Sequence, residues 1–369
     1  MGVKDISFRK SLALKLYQRY KANETARHQL TYLMWECTLR CNLGCKHCGS
    51  DCRKNMRQRD MPLEDFLQVV DNITPYVNPH NTMIVITGGE PLLRNDLEEC
   101  GRELYKREYP WGIVSNGLAM TAERLNSLIE AGIRSITVSL DGLEESHNIM
   151  RGHSASFQKA FDTIRLLTGR KDDIIFDVVT CVSTRTFPEL SELKELLIET
   201  GVDKWRIFSI FPIGRATRHS DLQLQPGEFK QLFDFIKNTR EEGRIKLSYG
   251  CEGFLGDYES EVRDNFFFCR AGVNIGSVLV DGSISACPNL RSNFIQGNIY
   301  EDNFMEVWNN RYKLFRNREW TRTGECDDCR YFRYCQGNGM HLRDEEGNLL
   351  FCHFRRIEEG ERQIENGRS

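Results

Sequence analysis

The chain has 369 residues, a formal net charge of −3, and 40% hydrophobic against 28% charged residues. These are ordinary values for a globular protein with room for a barrel-sized core and a second module. No long Lys/Arg block marks a nucleic-acid groove. The first 27 residues carry charges every few positions and lack the apolar run of a secretion signal or membrane anchor, so the expectation is a cytoplasmic chain without a membrane span. In that reducing compartment, 14 cysteines point to metal ligation rather than a disulfide framework.

Residues 1–30 hold an amphipathic helix in which Phe8, Leu12, Leu16 and Tyr20 recur at spacing four. The expected role of that face is to cap the next domain. From residue 31 strands and helices alternate. Predicted strands are Thr31–Glu36, Thr82–Thr87, Gly112–Val114, Ser135–Leu140, Ile174–Val182 and Lys204–Phe211. Predicted helices run from Pro62 to about Tyr76 and over Asp96–Glu108, Thr121–Ala131, Ser156–Leu167 and Pro188–Thr200. Six apolar strands joined by amphipathic helices over residues 31–213 imply a parallel sheet. Periodicity alone allows an open sheet or a partial barrel. Residues 214–250 read as a joint with one bridging helix near Glu228–Thr239. From residue 251 to 355 helices thin out and cysteines multiply, with a hairpin turning at Asp281-Gly282 and a helix over Asp302–Asn317. Residues 356–369 read as a charged tail, helical and then frayed.

Cys41-x3-Cys45-x2-Cys48 follows the first strand. Three thiolates can hold three irons of a [4Fe–4S] cluster and leave the fourth iron open; zinc is the weaker reading, because it needs neither the third close thiol nor the loops downstream. Cys37 and Cys52 flank this set without an assigned role. CxxxCxxC resembles the signature of the radical S-adenosylmethionine (SAM) superfamily. That resemblance extends to Gly88-Gly89-Glu90-Pro91, Ser115-Asn116-Gly117, Ser139-Leu140-Asp141-Gly142 and His147-x3-Arg151-Gly152. It implies that the open iron chelates SAM, that Glu90 or the backbone before it meets the SAM ammonium, that Ser115, Asn116, Ser139 and Asp141 serve the ribose, and that Arg151 serves the carboxylate. It also implies reductive cleavage of SAM to a 5′-deoxyadenosyl radical that takes hydrogen from substrate, with an electron donor such as flavodoxin or ferredoxin. Each of these loops lies at or after a strand's C-terminal end, where (β/α) barrels keep their sites. The fold class expected is therefore α/β, a partial (β/α)6 TIM-like barrel followed by a small cysteine-rich domain.

The later cysteines spell Cys269-x12-Gly282-x4-Cys287, then Cys326-x2-Cys329-x5-Cys335, then Cys352. This resembles the SPASM domain, the auxiliary-cluster module of radical SAM enzymes that act on peptides and proteins. One position departs: Gly339 stands where the family has a further cysteine. The resemblance implies one or two auxiliary [4Fe–4S] clusters. Cys326, Cys329, Cys335 and Cys352 make a complete four-thiol set, for which zinc is the alternative. Cys251, Cys269 and Cys287 make a three-thiol set, with an exchangeable iron or with His341 or Asp344 as fourth ligand. Pro288 stands where sulfatase-maturating relatives carry an Asp, which removes the obvious catalytic base. Cys100 and Cys181 read as buried apolar residues.

The function expected on this basis is a radical SAM/SPASM oxidoreductase modifying a peptide or protein side chain. The alternatives are a tetrapyrrole or small-cofactor maturase of the same superfamily, and a non-catalytic iron–sulfur electron carrier or scaffold.

Overall fold

A computed structural model describes residues 6–250 and 252–367. In chain order the elements are α1 (Phe8–Arg27), β1 (Tyr32–Thr38), α2 (Leu63–Ile73), β2 (Met83–Gly88), α3 (Leu97–Lys106), β3 (Trp111–Ser115), α4 (Ala122–Glu130), β4 (Ile133–Ser139), α5 (Glu144–Arg151), α6 (Ser156–Thr168), β5 (Ile175–Val182), α7 (Leu190–Glu199), β6 (Lys204–Ser209), α8 (Pro226–Glu242), β7 (Lys246–Tyr249), β8 (Ile275–Val278), β9 (Ser283–Ser285), β10 (Gly297–Asn298), α9 (Phe304–Asn310), α10 (Lys313–Arg316), α11 (Phe332–Cys335) and α12 (His353–Gly367).

One ten-stranded sheet organises them, in the order β10-β9-β8-β1-β2-β3-β4-β5-β6-β7. Strands β1 to β7 are parallel to their neighbours. This is the expected α/β partial barrel. Two features lie beyond the sequence reading. The segment read as a joint supplies a seventh parallel strand, β7, paired to β6. The expected hairpin is present as antiparallel β8 and β9, but β8 also pairs parallel with β1, so the cysteine-rich region continues the barrel sheet.

Apolar strand faces and helices build the core. Trp35 of β1 stacks on Phe66 of α2 at 4.2 Å, and the Trp205 indole donates to Thr180 Oγ1 at 2.8 Å. Helix α5, absent from the sequence reading, begins with Glu144 and Glu145, which suit a helix N-terminus. It ends at Gly152, whose φ of 68° needs a residue without Cβ.

Two expectations about the termini are corrected. Helix α1 buries Leu14 and Lys21, while the Phe8, Leu12, Leu16 and Tyr20 face lies in solvent. The tail is not frayed over residues 356–367: α12 continues to Gly367 and packs on α8 so closely that a Cβ on Gly360 would strike the Pro226 carbonyl.

Candidate functional site

The first cysteine loop leaves the C-terminal end of β1. Three anchors shape it. Gly44 N and Lys46 N donate to Arg151 O and Met150 O at 3.2 and 2.9 Å, the end of α5. Arg215 donates from Nε to Cys45 O and from Nη1 to Cys52 O, both at 2.7 Å. Cys41 N donates to Arg53 O at 3.0 Å. These bonds gather Cys41, Cys45 and Cys52, with Leu43, into one buried cluster against which Cys48 packs. Cys52 Sγ donates to Ser50 O at 3.9 Å and lies beside Cys48, whose pKa it lowers; sequence reading left Cys52 unassigned. Cys37 is a packed core thiol, pushed well up by burial.

The Gly88-Gly89-Glu90-Pro91 loop closes over this one. A Cβ on Gly88 or Gly89 would collide with the carbonyl of Thr38 or Arg40. These glycines therefore admit the cysteine loop's own backbone, with Gly89 N and Glu90 N donating to those carbonyls at 2.8 and 2.9 Å. Pro91 opens a single 3-10 turn. Glu90 is fully buried. It accepts from Leu92 N at 3.1 Å, Ser115 Oγ at 2.8 Å and Asn116 N at 2.8 Å. Its carboxylate thus clips the β2 loop to the β3 loop. Asn116 Nδ2 reaches on to Asn42 Oδ1 at 2.8 Å and Cys41 Sγ at 3.8 Å.

Beyond β4, whose last residue Ser139 pairs with Val179 of β5, lies buried Asp141. Arg151 meets it through Nε at 2.7 Å and Nη2 at 2.9 Å, and its Nη1 reaches Cys45 Sγ at 3.7 Å. Burial works against the Asp141 charge, but Arg151 and His47 outweigh it and hold the carboxyl down at about 2. His147 Nδ1 accepts from Asp141 N, and its Nε2 lies 3.0 Å from Ser156 Oγ.

His47 was missed in the sequence, although it stands inside the cysteine motif. Burial pushes it down to about 4, so it is neutral. Cys181 corrects an expectation: it is half-buried, and its thiol, a His47 nitrogen and an Asp141 oxygen lie within 4.8 Å of one another. Among the described residues His47 Nδ1 has no hydrogen-bond partner. Glu252 was also missed; it is buried and accepts from Ser209 N and Oγ at 3.1 and 2.6 Å and from the Tyr249 hydroxyl.

The later cysteines form two groups. Cys326, Cys329, Cys335 and Cys352 line one cavity. Cys269 precedes β8 and Cys287 follows β9, so the antiparallel hairpin brings both to the same end. Cys251 lies outside the described residues. Asp344 is consumed by its own turn, accepting from Asn348 N and Nδ2 at 2.7 and 3.0 Å. The His341 ring packs on Phe211 at 4.8 Å.

Buried cations test whether anionic clusters fit these thiols. Arg343 reaches Cys326 Sγ at 3.9 Å and otherwise bonds only backbone carbonyls. Arg318 bonds the carbonyls of Phe315 and Asn338 and lies against Cys269. Lys21, 5% exposed, donates to Tyr334 O at 2.9 Å. Among the described residues no carboxylate forms an ion pair with these three. Unpaired buried charges cost several kcal/mol each, about 3–5 where one partner of a pair is removed. Thiolate-bound iron–sulfur clusters, which are anionic, supply the missing countercharge, so the donor sets fit.

The sequence matches the radical SAM superfamily over residues 35–197 and the SPASM iron–sulfur cluster-binding domain over residues 269–330. The AdoMet-dependent heme synthase of Methanosarcina barkeri is 26% identical over 349 residues, covering 88% of this chain and 96% of that one. The mycofactocin maturase of Mycobacterium tuberculosis is 28% identical over 318 residues, covering 84% of this chain and 78% of that one. In fold the chain resembles native anSMEcpe with bound AdoMet, with a TM-score of 0.71 at 21% identity over 92% of this chain and 97% of that one. Fold and thiol sets together define an iron–sulfur enzyme. The chain belongs to the radical SAM superfamily and carries a C-terminal SPASM module. Its cofactors are SAM, the [4Fe–4S] cluster that binds SAM, and auxiliary iron–sulfur clusters. No helix among the described residues is long and apolar enough to cross a membrane.

Proposed function

We propose that this radical SAM enzyme acts on a tetrapyrrole of the haem pathway. The observation that carries the reading is the match to haem-pathway enzymes over nearly the full length of both chains, 88% and 96% for the heme synthase. An Fe-coproporphyrin III synthase and a pre-heme d1 synthase are further relatives of this kind. Pro288 counts from within the chain against the sulfatase-maturase reaction in particular, because no carboxylate follows Cys287.

Cys41, Cys45 and Cys48 would hold the SAM-binding cluster. The bound cofactors supply a one-electron cleavage of SAM that yields a hydrogen-abstracting 5′-deoxyadenosyl radical. The protein supplies position and exclusion of water. Glu90 holds the β2 and β3 loops together beneath the cysteine loop. Asp141, which Arg151 fixes, would be the polar group at the end of β4 that serves the ribose. His47, neutral and with a free Nδ1, faces the same side. Cys326, Cys329, Cys335 and Cys352 would hold one auxiliary cluster, and Cys251, Cys269 and Cys287 would contribute to another.

A peptide substrate is the second reading, favoured by the 28% identity to the mycofactocin maturase. The test supplies reconstituted, reduced enzyme with SAM and either iron coproporphyrin III or short precursor-like peptides. The tetrapyrrole should raise 5′-deoxyadenosine formation and itself change mass. Substrate-dependent turnover of the peptide alone would overturn the proposal.

A further inference from the structure

Helix α1 shows solvent the side it would be expected to bury. Phe8, Leu12, Leu16 and Tyr20 are 84, 52, 58 and 49% exposed. At spacing four and 1.5 Å per residue they form a continuous ridge about 18 Å long. Such rows, unlike single exposed apolar residues, mark surfaces that meet a partner.

Lys15 and Arg19 border this ridge on the helix and begin a cleft of about 860 Å³ between α1 and the cysteine-rich module. Its wall also carries Lys21, Arg316, Arg318 and Arg333 and, among the described residues, no aspartate or glutamate. Cys269 and Cys335 lie in that wall, and Cys335 also lines the four-cysteine cavity. The cleft therefore gives access from outside to thiols of both later sets.

We propose that the α1 ridge and this basic cleft are the docking surface for an acidic one-electron carrier protein of the flavodoxin or ferredoxin class. Four arguments select that occupant. Lys15, Arg19, Arg316 and Arg333, which form no ion pair among the described residues and which no cluster is asked to neutralise, call for an acidic face. A small anion would fill the cleft and leave the ridge bare. A second copy of the chain would set α1 against α1, and that helix carries Arg9, Lys10, Lys15, Arg19, Lys21 and Arg27 against Glu24 alone. The cysteines in the wall give a carrier, rather than any other acidic protein, a reason to dock there. The inference is independent of which substrate the enzyme takes.

The experiment uses reconstituted holoenzyme and a flavodoxin. Titration of the oxidised flavodoxin should show micromolar binding that weakens about tenfold from low to physiological salt. Leu12→Glu/Leu16→Glu and Lys15→Glu/Arg19→Glu should each weaken it at least about tenfold. Both variants should form 5′-deoxyadenosine normally with dithionite and lose most of that yield with reduced flavodoxin. Unchanged flavodoxin affinity in both variants overturns the proposal. So does a wild-type dimer that Leu12→Glu/Leu16→Glu splits, or loss of iron coproporphyrin binding with flavodoxin binding intact.

Discussion

Arg151 holds Asp141 with two nitrogens, Nε at 2.7 Å and Nη2 at 2.9 Å, and points a third at Cys45 Sγ, 3.7 Å away. Both side chains are buried. One arginine thus joins the β4 end to the cysteine loop. Nη2 donates a charge-assisted hydrogen bond to Oδ1, and Nε adds an ion-pair contact to Oδ2, so charge and one directed bond make the link. Arg151→Met leaves the Asp141 carboxylate buried beside neutral groups and should cost about 3–5 kcal/mol. Asp141→Asn in the same chain should restore part of that loss, with a coupling of at least about 1 kcal/mol in a double-mutant cycle read by thermal unfolding. Strict additivity would show that the pair does not act as a unit.

Glu90 is the second clip. Its three donors come from two loops, and all three bonds are 2.8–3.1 Å. Glu90→Gln keeps the shape but turns one acceptor into a donor facing donors. The expected cost is about 1–3 kcal/mol for the buried groups left unsatisfied, with weaker SAM binding in equilibrium titration. Ser115→Ala removes one bond only and should lie at the low end of that range. Equal SAM affinity in Glu90→Gln and the parent would detach this clip from cofactor binding.

The cysteine spacings were legible in the sequence because metal ligation is a local pattern of a few residues. Strand and helix order from residue 31 to 213 was legible for a similar reason: each element carries its own periodicity. What failed depended on partners elsewhere in the chain. The ridge on α1 has the spacing of a buried face, and only the surface opposite it could say that Leu14 and Lys21 point inward instead. Helix α5 has few apolar residues to announce it. Strand β7 has four residues, too few to separate from a loop without β6 beside it. Glu90 and Arg151 were found as residues, but their roles rest on bonds reaching 10 to 106 residues away.

His147 makes stability depend on pH. Burial, with Arg151 second, pushes it down to about 3, against the pull of Asp141. Its folded pKa lies below the unfolded value of about 6.5. Below that value the unfolded chain takes up a proton that the folded one refuses, so this contribution is full above about pH 6.5 and is lost as pH falls toward 3. The slope is about 1.4 kcal/mol per unit for this one group. His47 and His341, both lowered to about 4, act in the same direction. Denaturant titrations from pH 7 to 5 should show His147→Gln losing stability less steeply than the parent. Parallel slopes would mean that His147 is not held neutral.

Gly339 stands where the resemblance expects a further thiol, yet the site does not admit one. A Cβ there would lie 2.5 Å from Glu252 O and 2.8 Å from His341 Cε1. Glu252 O is also the acceptor for Gly339 N at 2.9 Å, so backbone must move. Gly339→Cys should cost about 1–3 kcal/mol as an overpacking change and should not raise the iron content of reconstituted protein. His341→Ala added to it relieves only the ring contact. A stable Gly339→Cys protein with additional bound iron would show that the loop can open for a thiol.

Arg343 offers the sharpest test of the auxiliary set, because its effect should change sign with the metal. Arg343 is 3% exposed, and its guanidinium bonds the carbonyls of Thr321, Gly337 and Gly347. Its nearest anion-forming group is Cys326, at 3.9 Å. Without iron, burial and the surroundings hold the arginine below its ordinary pKa and push the Cys326 thiol above its own, so a buried positive charge stands uncompensated. Replacing such a charge by a hydrophobe of similar volume is neutral or stabilising by about 1–4 kcal/mol. Arg343→Met should therefore melt at or above the parent when both are iron-free. With the cluster in place the same change removes a charge partner of a thiolate ligand, and a loss of about 3–5 kcal/mol follows. Paired melting curves of iron-free and reconstituted protein decide the matter. A destabilisation of equal size in both forms would mean that Arg343 serves only the three carbonyls.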